Sequence, residues 1–271
     1  MSTSLADRLQ KKRFYYLLEL QYLGYRFHGW AIQPNVKTVQ GMLEKTLKFV
    51  LKDKGIQFKT LASGRTDAKV SANQIFVELF LSHEIDQSSF LEELNFNLPS
   101  DIKALGLEET NADFNILQHS KQKEYRYYFC FGDKPHPFSA SMLAYFNFYL
   151  DVELMKKAAK VFEGKHNFLR YCTTQNNREE KDTWREIAFS FIEENKELTA
   201  SFFPEESFVF KVSSAGFMRH QVRLMMGQII RVGRGEISLE EFEEDLNNPK
   251  PEFFRYIAPA AGLMLHSVEF K

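Results

Sequence analysis

The sequence has few residues that could form covalent or metal crosslinks. Its 271 residues include two cysteines, Cys130 and Cys172, which lie far apart in the chain. This count argues against a disulfide framework and a cysteine-based zinc site, and it fits a reducing compartment such as the cytoplasm. The seven histidines are scattered without HExxH-like spacing, and the motifs GxGxxG, GxxxxGKS and GxxxxGKT are missing. These absences argue against a nucleotide cofactor.

Long apolar runs and an excess of one charge are also missing. No segment approaches the ~18 apolar residues of a membrane span, and no apolar signal core accompanies the basic residues near the N-terminus. The 35 Lys and Arg residues balance the 36 Asp and Glu residues, for a net charge of -1. Any surface for a nucleic acid must therefore be a local patch.

Apolar patterning divides the chain into short elements. Tyr16, Leu18, Leu20 and Tyr22 share one face of an alternating segment, which predicts a strand over 14–22. Further strands are predicted at 57–62, 74–81, 102–109, 124–131, 185–193, 198–203, 207–213 and 263–270.

Helix signals lie between these strands. Thr38 is an N-cap type followed by apolar residues at helical spacing, which predicts a helix over 38–53. Further helices are predicted behind Asp151, over 217–232, and at the capping boxes Ser89–Glu92 and Ser238–Glu241. This order favours an α+β protein with helices packed on mainly antiparallel sheets.

The sequence gives little indication of where one domain ends and the next begins, because no linker or low-complexity tract interrupts the chain. Both halves run strand, helix, strand, strand, without a clear sequence repeat. We expect an N-terminal domain over residues 1–112 and a C-terminal domain over residues 113–271, packed tightly together.

Positive charge is concentrated in the second half. The segment 207–235 contains five basic residues and no acid, and 236–245 contains six acids and no base. This pattern has two interpretations. It could be two solvated helix faces of opposite charge, or a basic groove beside an acidic rim that would orient a polyanion. The basic residues are Lys211, Arg219, Arg223, Arg231 and Arg234.

Residues 119–136 mix basic and aromatic side chains. This combination suits RNA, because phosphates need cations and unstacked bases need flat partners. Aromatic residues on a strand are also typical of a core. The residues are His119, Lys121, Lys123, Tyr125, Arg126, Tyr127, Tyr128, Phe129, Lys134 and His136.

A short polar motif, SGRTDA at 63–68, lies between two predicted strands. Arg65 and Asp67 are two residues apart, so on extended backbone their side chains point the same way and could pair. From spacing alone a structural ion pair is the simpler interpretation.

Together with other motifs, this segment resembles the TruA family of tRNA pseudouridine synthases. SGRTDA is similar to the family's active-site motif GRTDAGVHA, and seven other similarities follow in the family's order along nearly the whole chain. They lie at 22–30 with Gln33 (YDGxxYxGWQ), Val39-Gln40 (SVQ), 98–102 (LPxDI), 125–127 (YRY), 164–168 (GxHDF), 217–235 (FxxHMVRxxxGxxxxVGxG) and 258–263 (APAxGL).

This resemblance implies a fold and an activity. The fold would be α+β, with two similar halves whose mainly antiparallel sheets join into one curved central sheet. Helices would cover one face, and the active-site cleft would lie between the halves. The activity would be cofactor-free isomerisation of uridine to pseudouridine in the tRNA anticodon arm, at positions 38–40, by a homodimer.

The resemblance also implies residue roles. Asp67 would be the catalytic carboxylate, adding to the base, attacking the ribose carbon or removing a ribose proton to form a glycal. Arg65 would keep Asp67 ionised and could fill the vacated stack. Tyr125 would pack on the flipped uracil and accept the final carbon-bound proton. Arg223 would support Asp67 or bind phosphate.

Further residues would bind the substrate. Leu265 and Gly262 correspond to the family's apolar pocket wall. Arg126 and Arg219 are expected to contact the RNA. His220 and Lys211 are assigned to the basic surface, with a structural role as the simpler alternative for His220.

Several positions depart from the family pattern: Ala31, Lys69, Ser71, Gln74 and Leu117. Lys69 replaces a glycine expected for backbone freedom. The departures leave Asp67 and Tyr125 intact, so they bear on loop shape and RNA choice. A non-catalytic RNA-binding paralogue and a synthase for another RNA are the alternatives. A carboxylate glycosidase would need a second placed acid, and none is suggested beside Asp67.

Overall fold

A computed structural model describes residues 13–173, 183–249 and 252–271. These ranges contain ten strands and five α-helices. The strands are β1 Phe14–Tyr22, β2 Phe58–Ala62, β3 Ser71–Leu81, β4 Ile102–Thr110, β5 Ser120–Phe131, β6 Ala144–Phe146, β7 Gly164–Asn167, β8 Trp184–Glu194, β9 Phe208–Ser214 and β10 Leu263–Phe270. The helices are α1 Val39–Leu51, α2 Gln87–Asn97, α3 Val152–Val161, α4 Gln221–Gly233 and α5 Leu239–Asn247.

The ten strands form one sheet. Its main order is β4-β1-β3-β10-β5-β9-β8-β7, with β2 beside β3 and β6 beside β5. Most neighbouring strands are antiparallel, and the pairs β10–β3 and β5–β6 are parallel. The predicted α+β class with a mainly antiparallel sheet is therefore confirmed.

Strand β10 connects the two halves of this sheet. Met264 and Leu265 pair in parallel with Ser71 and Ala72 at the start of β3. On its other side Leu265 pairs antiparallel with Tyr125 of β5. A row of three neighbouring residues thus runs from Ala72 through Leu265 to Tyr125, which places the loop before β3 close to the middle of β5.

Two large hydrophobic clusters pack the helices onto the sheet. The first combines alternate residues of β1, β3 and β4 with α1 and α2, and its buried residues include Leu18 and Leu43. The second combines β5, β8 and β9 with α3, α4 and α5, and includes Phe210 and Met225. Tyr125 packs against both clusters, so both occupy the same face of the sheet. The alternation in β1 that predicted a half-buried strand reflects this one-sided cover.

Local capping explains where the helices begin. Thr38 and Asp151 accept hydrogen bonds from the first-turn amides of Gly41 and Leu154, as predicted. The capping box of Ser238 and Glu241 is also present. These side chains satisfy amide donors that have no partner within the helix.

Three predictions of local structure were wrong. Helix α2 begins after Asp86, which accepts a hydrogen bond from the Ser89 amide at 2.8 Å, so Ser89 lies inside the helix and is not its cap. The segment 198–203 forms turns and bends, not a strand. Helix α4 begins at Gln221, because residues 217–220 form a loop at the cavity described below. The domain boundary near residue 112 stays a prediction.

In the described ranges, every helix is too short or too polar to cross a bilayer.

The close packing of Gly24 against the start of β3 predicts a stability effect. A Cβ atom on Gly24 would overlap the carbonyl oxygen of Val70, which is backbone and cannot rotate away. We expect Gly24→Ala to lower the free energy of unfolding by about 2 kcal/mol or more, measured by urea denaturation.

Gly106→Ala is the matched control, because a Cβ atom there would meet only the Glu19 carboxylate, at an ordinary 3.7 Å. Equal stability of the Gly24 and Gly106 variants would contradict the packing that we describe.

Candidate active site

The loop from Ser63 to Val70 leads from β2 into β3 and carries Asp67. Its first residue is held by two hydrogen bonds: the Ser63 amide donates to the Phe76 carbonyl at 2.9 Å, and Lys123 Nζ donates to the Ser63 carbonyl at 2.6 Å. Burial lowers the pKa of Lys123. Lys123 belongs to β5, so the second half of the chain positions the start of this loop.

The middle of the loop is fixed by Thr66. The Thr66 carbonyl accepts from the Trp30 amide at 3.1 Å, and the Thr66 hydroxyl lies 2.8 Å from the Tyr22 hydroxyl. Thr66 is buried. The residue before Asp67 is thereby attached to the N-terminal cluster, which restricts where the Asp67 side chain can point.

A turn ends the loop. The Val70 amide donates to the Asp67 carbonyl at 3.2 Å, and the Lys69 amide donates to the Phe27 carbonyl at 3.0 Å. Lys69 has φ of 67°, in the left-handed region that favours glycine. The departure at Lys69 therefore falls at a position where the backbone favours the glycine that the family pattern has.

The Asp67 carboxylate faces the beginning of α4. Its Oδ1 lies 3.3 Å from His220 Nε2, and its Oδ2 lies 3.5 Å from Arg223 Nη1. Both partners are held in turn: His220 Nδ1 is 2.8 Å from the Thr173 hydroxyl, and Arg223 Nε donates to the Ala258 carbonyl at 2.8 Å. The carboxylate thus meets two side chains whose orientations are fixed.

The environment of Asp67 favours its ionised form. Burial raises the pKa of Asp67, but the hydrogen bond and charge of His220, with the charges of Arg223 and Arg219, lower it further, so the net pKa is below the ordinary value of 3.8. Opposite charges near a carboxyl group stabilise the anion. Asp67 is therefore a carboxylate at neutral pH, although its side chain is only 25% exposed.

A cavity of about 680 Å³ opens in front of this carboxylate. One aromatic wall is Tyr125, whose ring meets that of Phe217 edge-on with centroids 5.1 Å apart. Burial, and then the charge of Asp67, raise the pKa of Tyr125, so its hydroxyl is protonated at neutral pH. The cavity is lined by residues of 28–33, 65–70 and 217–223, with Tyr125 and Leu263.

Six of the predicted site residues line this cavity: Arg65, Asp67, Tyr125, Arg219, His220 and Arg223. The structure corrects the expected pairing of Arg65 with Asp67. Arg65 is exposed, and the groups that face the carboxylate are His220 and Arg223. Residues 64–67 form a loop and not a strand, so the two-residue spacing does not place both side chains on one face.

Arg126 and Lys211 were expected at the RNA surface, but they lie away from the cavity. Arg126 follows Tyr125 on β5, so its side chain points to the opposite face of the sheet, where it pairs with Glu124 and Glu197. Lys211 is buried and bridges Glu197 and Glu193. The acids on neighbouring elements neutralise both cations.

The pocket wall also differs from expectation. Leu265 is buried beside Tyr125 in the N-terminal cluster, and Gly262 packs against the Tyr128 carbonyl. Leu263 occupies the cavity wall.

Much of the basic run at 207–235 is neutralised. Arg231 and Arg234 pair with Glu236, the first residue of the acidic segment. The aromatic strand residues Tyr127 and Phe129 are fully buried, as the core interpretation predicts. Only Arg219 and Arg223 of the run line the cavity.

Several residues of the site had no role assigned from the sequence. His28, Trp30 and Phe217 line the cavity, and they belong to motifs that were recognised without assigned roles. His220 has φ of 63° directly before α4, a local geometry that the sequence did not reveal. Among the described residues, no group of three or more His, Cys, Asp and Glu side chains is arranged to hold a metal ion.

The cavity thus combines an ionised carboxylate, an aromatic wall and two arginines at the beginning of α4. Comparisons with known proteins indicate the family of the chain. A family model described as tRNA pseudouridine synthase matches residues 158–271.

Curated relatives named tRNA pseudouridine synthase A match over most of the chain. The Listeria welshimeri protein is 31% identical over 253 residues, which cover 93% of this chain and 97% of the relative. The Pseudothermotoga lettingae protein is 32% identical over 259 residues, covering 96% and 100%. The Halalkalibacterium halodurans protein is 33% identical over 248 residues, covering 91% and 89%. The chain belongs to the tRNA pseudouridine synthase A (TruA) family.

The electrostatics of Asp67 predict a pH-dependent contribution to stability. Because the folded pKa is lowered, this contribution is complete above the ordinary value of 3.8 and is lost as the pH falls through the folded pKa. Asp67→Asn leaves Arg223 without its counter-charge and removes the carboxylate beside His220. We expect the variant to be less stable than the wild type at neutral pH, and this difference to shrink as the pH falls below about 4. Urea denaturation across acid pH measures it, and a difference that does not change with pH would contradict the assigned ion pairs.

Proposed function

We propose that the protein converts uridine to pseudouridine in tRNA with Asp67 as its catalytic group. The observation that carries this proposal is the ionised carboxylate of Asp67, held in a cavity opposite the ring of Tyr125. The names of the family's curated members support tRNA as the substrate.

The reaction exchanges one bond to the ribose for another. The bond from ribose C1′ to uracil N1 breaks, the base rotates, and C1′ bonds to C5 of the same base. N1 gains a proton and C5 loses one, so no oxidant, reductant or added group is required. A uridine must leave the helical stack for this, and a cavity beside basic residues can hold a flipped base.

Asp67 performs the first step in each of three paths: addition to the base, attack on C1′, or removal of a ribose proton. All three require the anion, which His220 and Arg223 maintain. The same pairs restrain the carboxylate, so the reacting oxygen is oriented before the base arrives. Arg65 and Arg219, on the cavity rim, bind RNA phosphates, and Arg65 fills the vacated stack.

Tyr125 has two roles in this proposal. Its ring packs on the flipped uracil. Tyr125 lines the same cavity as Asp67, and its neutral hydroxyl relays the C5 proton in the last step: the oxygen takes up this proton while its own proton passes to the Asp67 carboxylate or to solvent.

Three finer points belong to the same proposal and follow from the family resemblance. The target is the anticodon arm, at positions 38–40. The enzyme acts in the cytoplasm as a homodimer without a cofactor. Residues 1–112 and 113–271 form its two domains, and the cavity lies between them.

A pseudouridine map tests the function. Unmodified total tRNA is incubated with the protein, without added cofactor, and probed by carbodiimide primer extension. We expect new stops in the anticodon arm with the wild type and none with Asp67→Asn, which should reduce turnover at least ~10³-fold while RNA stays bound.

Asp133→Asn is the matched control, because Asp133 is exposed in the turn after β5. Bound tRNA without stops would favour the non-catalytic paralogue. Stops elsewhere would indicate a different target, and full activity of Asp67→Asn would remove Asp67 from the mechanism.

Tyr125→Phe separates the two roles of that residue. The variant keeps the ring but loses the hydroxyl, so we expect slower turnover with little change in RNA affinity. Tyr128→Phe is the control, because Tyr128 lies on the other face of β5 and borders a different cavity. Single-turnover kinetics measure the effect, and a normal rate would show that the hydroxyl is not needed.

A further inference from the structure

Lys69 has an unfavourable backbone conformation and an exposed charge. It is the third residue of the Asp67–Val70 turn, with φ of 67°. Glycine and asparagine adopt this conformation at low cost, whereas a lysine pays roughly 1 kcal/mol. A neutral glycine would suit the backbone better, so the backbone alone does not explain a lysine here.

The Lys69 ammonium group lies over an aromatic ring. Its Nζ is 5.6 Å from the ring centroid of Tyr25, within cation–π distance. Both residues are exposed, Tyr25 to 43%. Large exposed aromatic side chains beside a cation are typical of surfaces that contact unpaired RNA.

Lys69 also lacks an acidic partner in the described part of the chain. Among the described residues no carboxylate lies within ion-pair distance of Lys69. By contrast, Arg26, which follows Tyr25 in the sequence, pairs with Asp101. An ammonium group that lacks an acidic partner remains available for an anion.

The pair lies at the rim of the Asp67 cavity. Ala68 and Val70, on either side of Lys69, line that cavity, and so does His28 in the loop after Tyr25. The Lys69 amide donates to the Phe27 carbonyl at 3.0 Å, so a backbone hydrogen bond joins the two loops. Lys69 follows Asp67 by two positions in the sequence.

We propose that Tyr25 and Lys69 form an RNA contact next to the flipped uridine. Lys69 binds a backbone phosphate, and the Tyr25 ring stacks on an unpaired neighbouring base. The contact rests on the proposed function and specifies how this chain binds the RNA that enters its cavity. Because neither residue faces the Asp67 carboxylate, the contact contributes to RNA affinity and not to the chemical step.

Because Lys69 has an unfavourable backbone conformation, substitutions there can separate an effect on melting temperature from an effect on RNA binding. Lys69→Gly and Lys69→Asn relax the turn and remove the charge, so each should raise the melting temperature and weaken RNA binding. Lys69→Met removes the charge and keeps the unfavourable conformation, so it should weaken binding without the gain in melting temperature.

The experiment measures the Kd for unmodified tRNA by filter binding at several salt concentrations, with melting temperatures for each variant. We expect all three Lys69 variants to bind about 3- to 10-fold more weakly, with the slope of log Kd against log salt smaller by about 0.7 to 0.9, which is one phosphate contact. Tyr25→Leu should weaken binding roughly fivefold or more with an unchanged slope.

Lys157→Met, an exposed lysine on α3, is the control and should change neither quantity. An unchanged Kd and slope in the Lys69 variants would overturn the contact, even if the wild type forms pseudouridine. Wild-type binding without pseudouridine would instead refute the proposed function and leave the contact measurable.

Discussion

The site depends on one short interaction, the parallel pairing of Met264 and Leu265 with Ser71 and Ala72. This pairing is only two residues long, yet it joins the two groups of strands into one sheet. Since Leu265 also pairs with Tyr125, it fixes the distance between the loop that carries Asp67 and the strand that carries the aromatic wall. Lys123 supports the same arrangement from β5. The arrangement of Asp67 and Tyr125 therefore relies on backbone geometry that neither half of the sheet could supply alone.

The carboxylate of Asp67 is subject to two opposing effects. Partial burial disfavours the anion, and the cations of the 219–223 segment favour it by more. This balance suits the catalytic role that we propose for Asp67, because a water-exposed carboxylate would be ionised but weakly oriented, and a buried one without cations would be protonated. The loop before α4 supplies the balance, since His220 in its left-handed conformation and Arg223 one turn later point to the same carboxylate.

Sequence reasoning predicted what local rules control. Alternation in β1 and the caps at Thr38 and Ser238 appear where expected, because each depends on residues a few positions apart. The motifs also drew attention to Asp67 and Tyr125, and both residues line the same cavity. What failed depends on tertiary context. Arg126 pairs with Glu197, 71 positions further along the chain, and the partners of Lys211 come from β8 and the turn after it. His220 contacts Asp67 although 153 positions separate the two residues in the sequence, and no local pattern predicts that contact.

The β10 strand also has a consequence for how the protein folds. The side-chain amide of Asn73, at the start of β3, donates from Nδ2 to the backbone carbonyl of His266, 193 positions further along the chain. Contacts this distant in sequence require closure of a very long loop, and they slow folding compared with local ones. Helices and hairpins within each half can form before this closure. A partly folded chain would then hold most of its secondary structure while Asp67 and Tyr125 were still apart, so recovery of activity after refolding should lag behind recovery of helical signal.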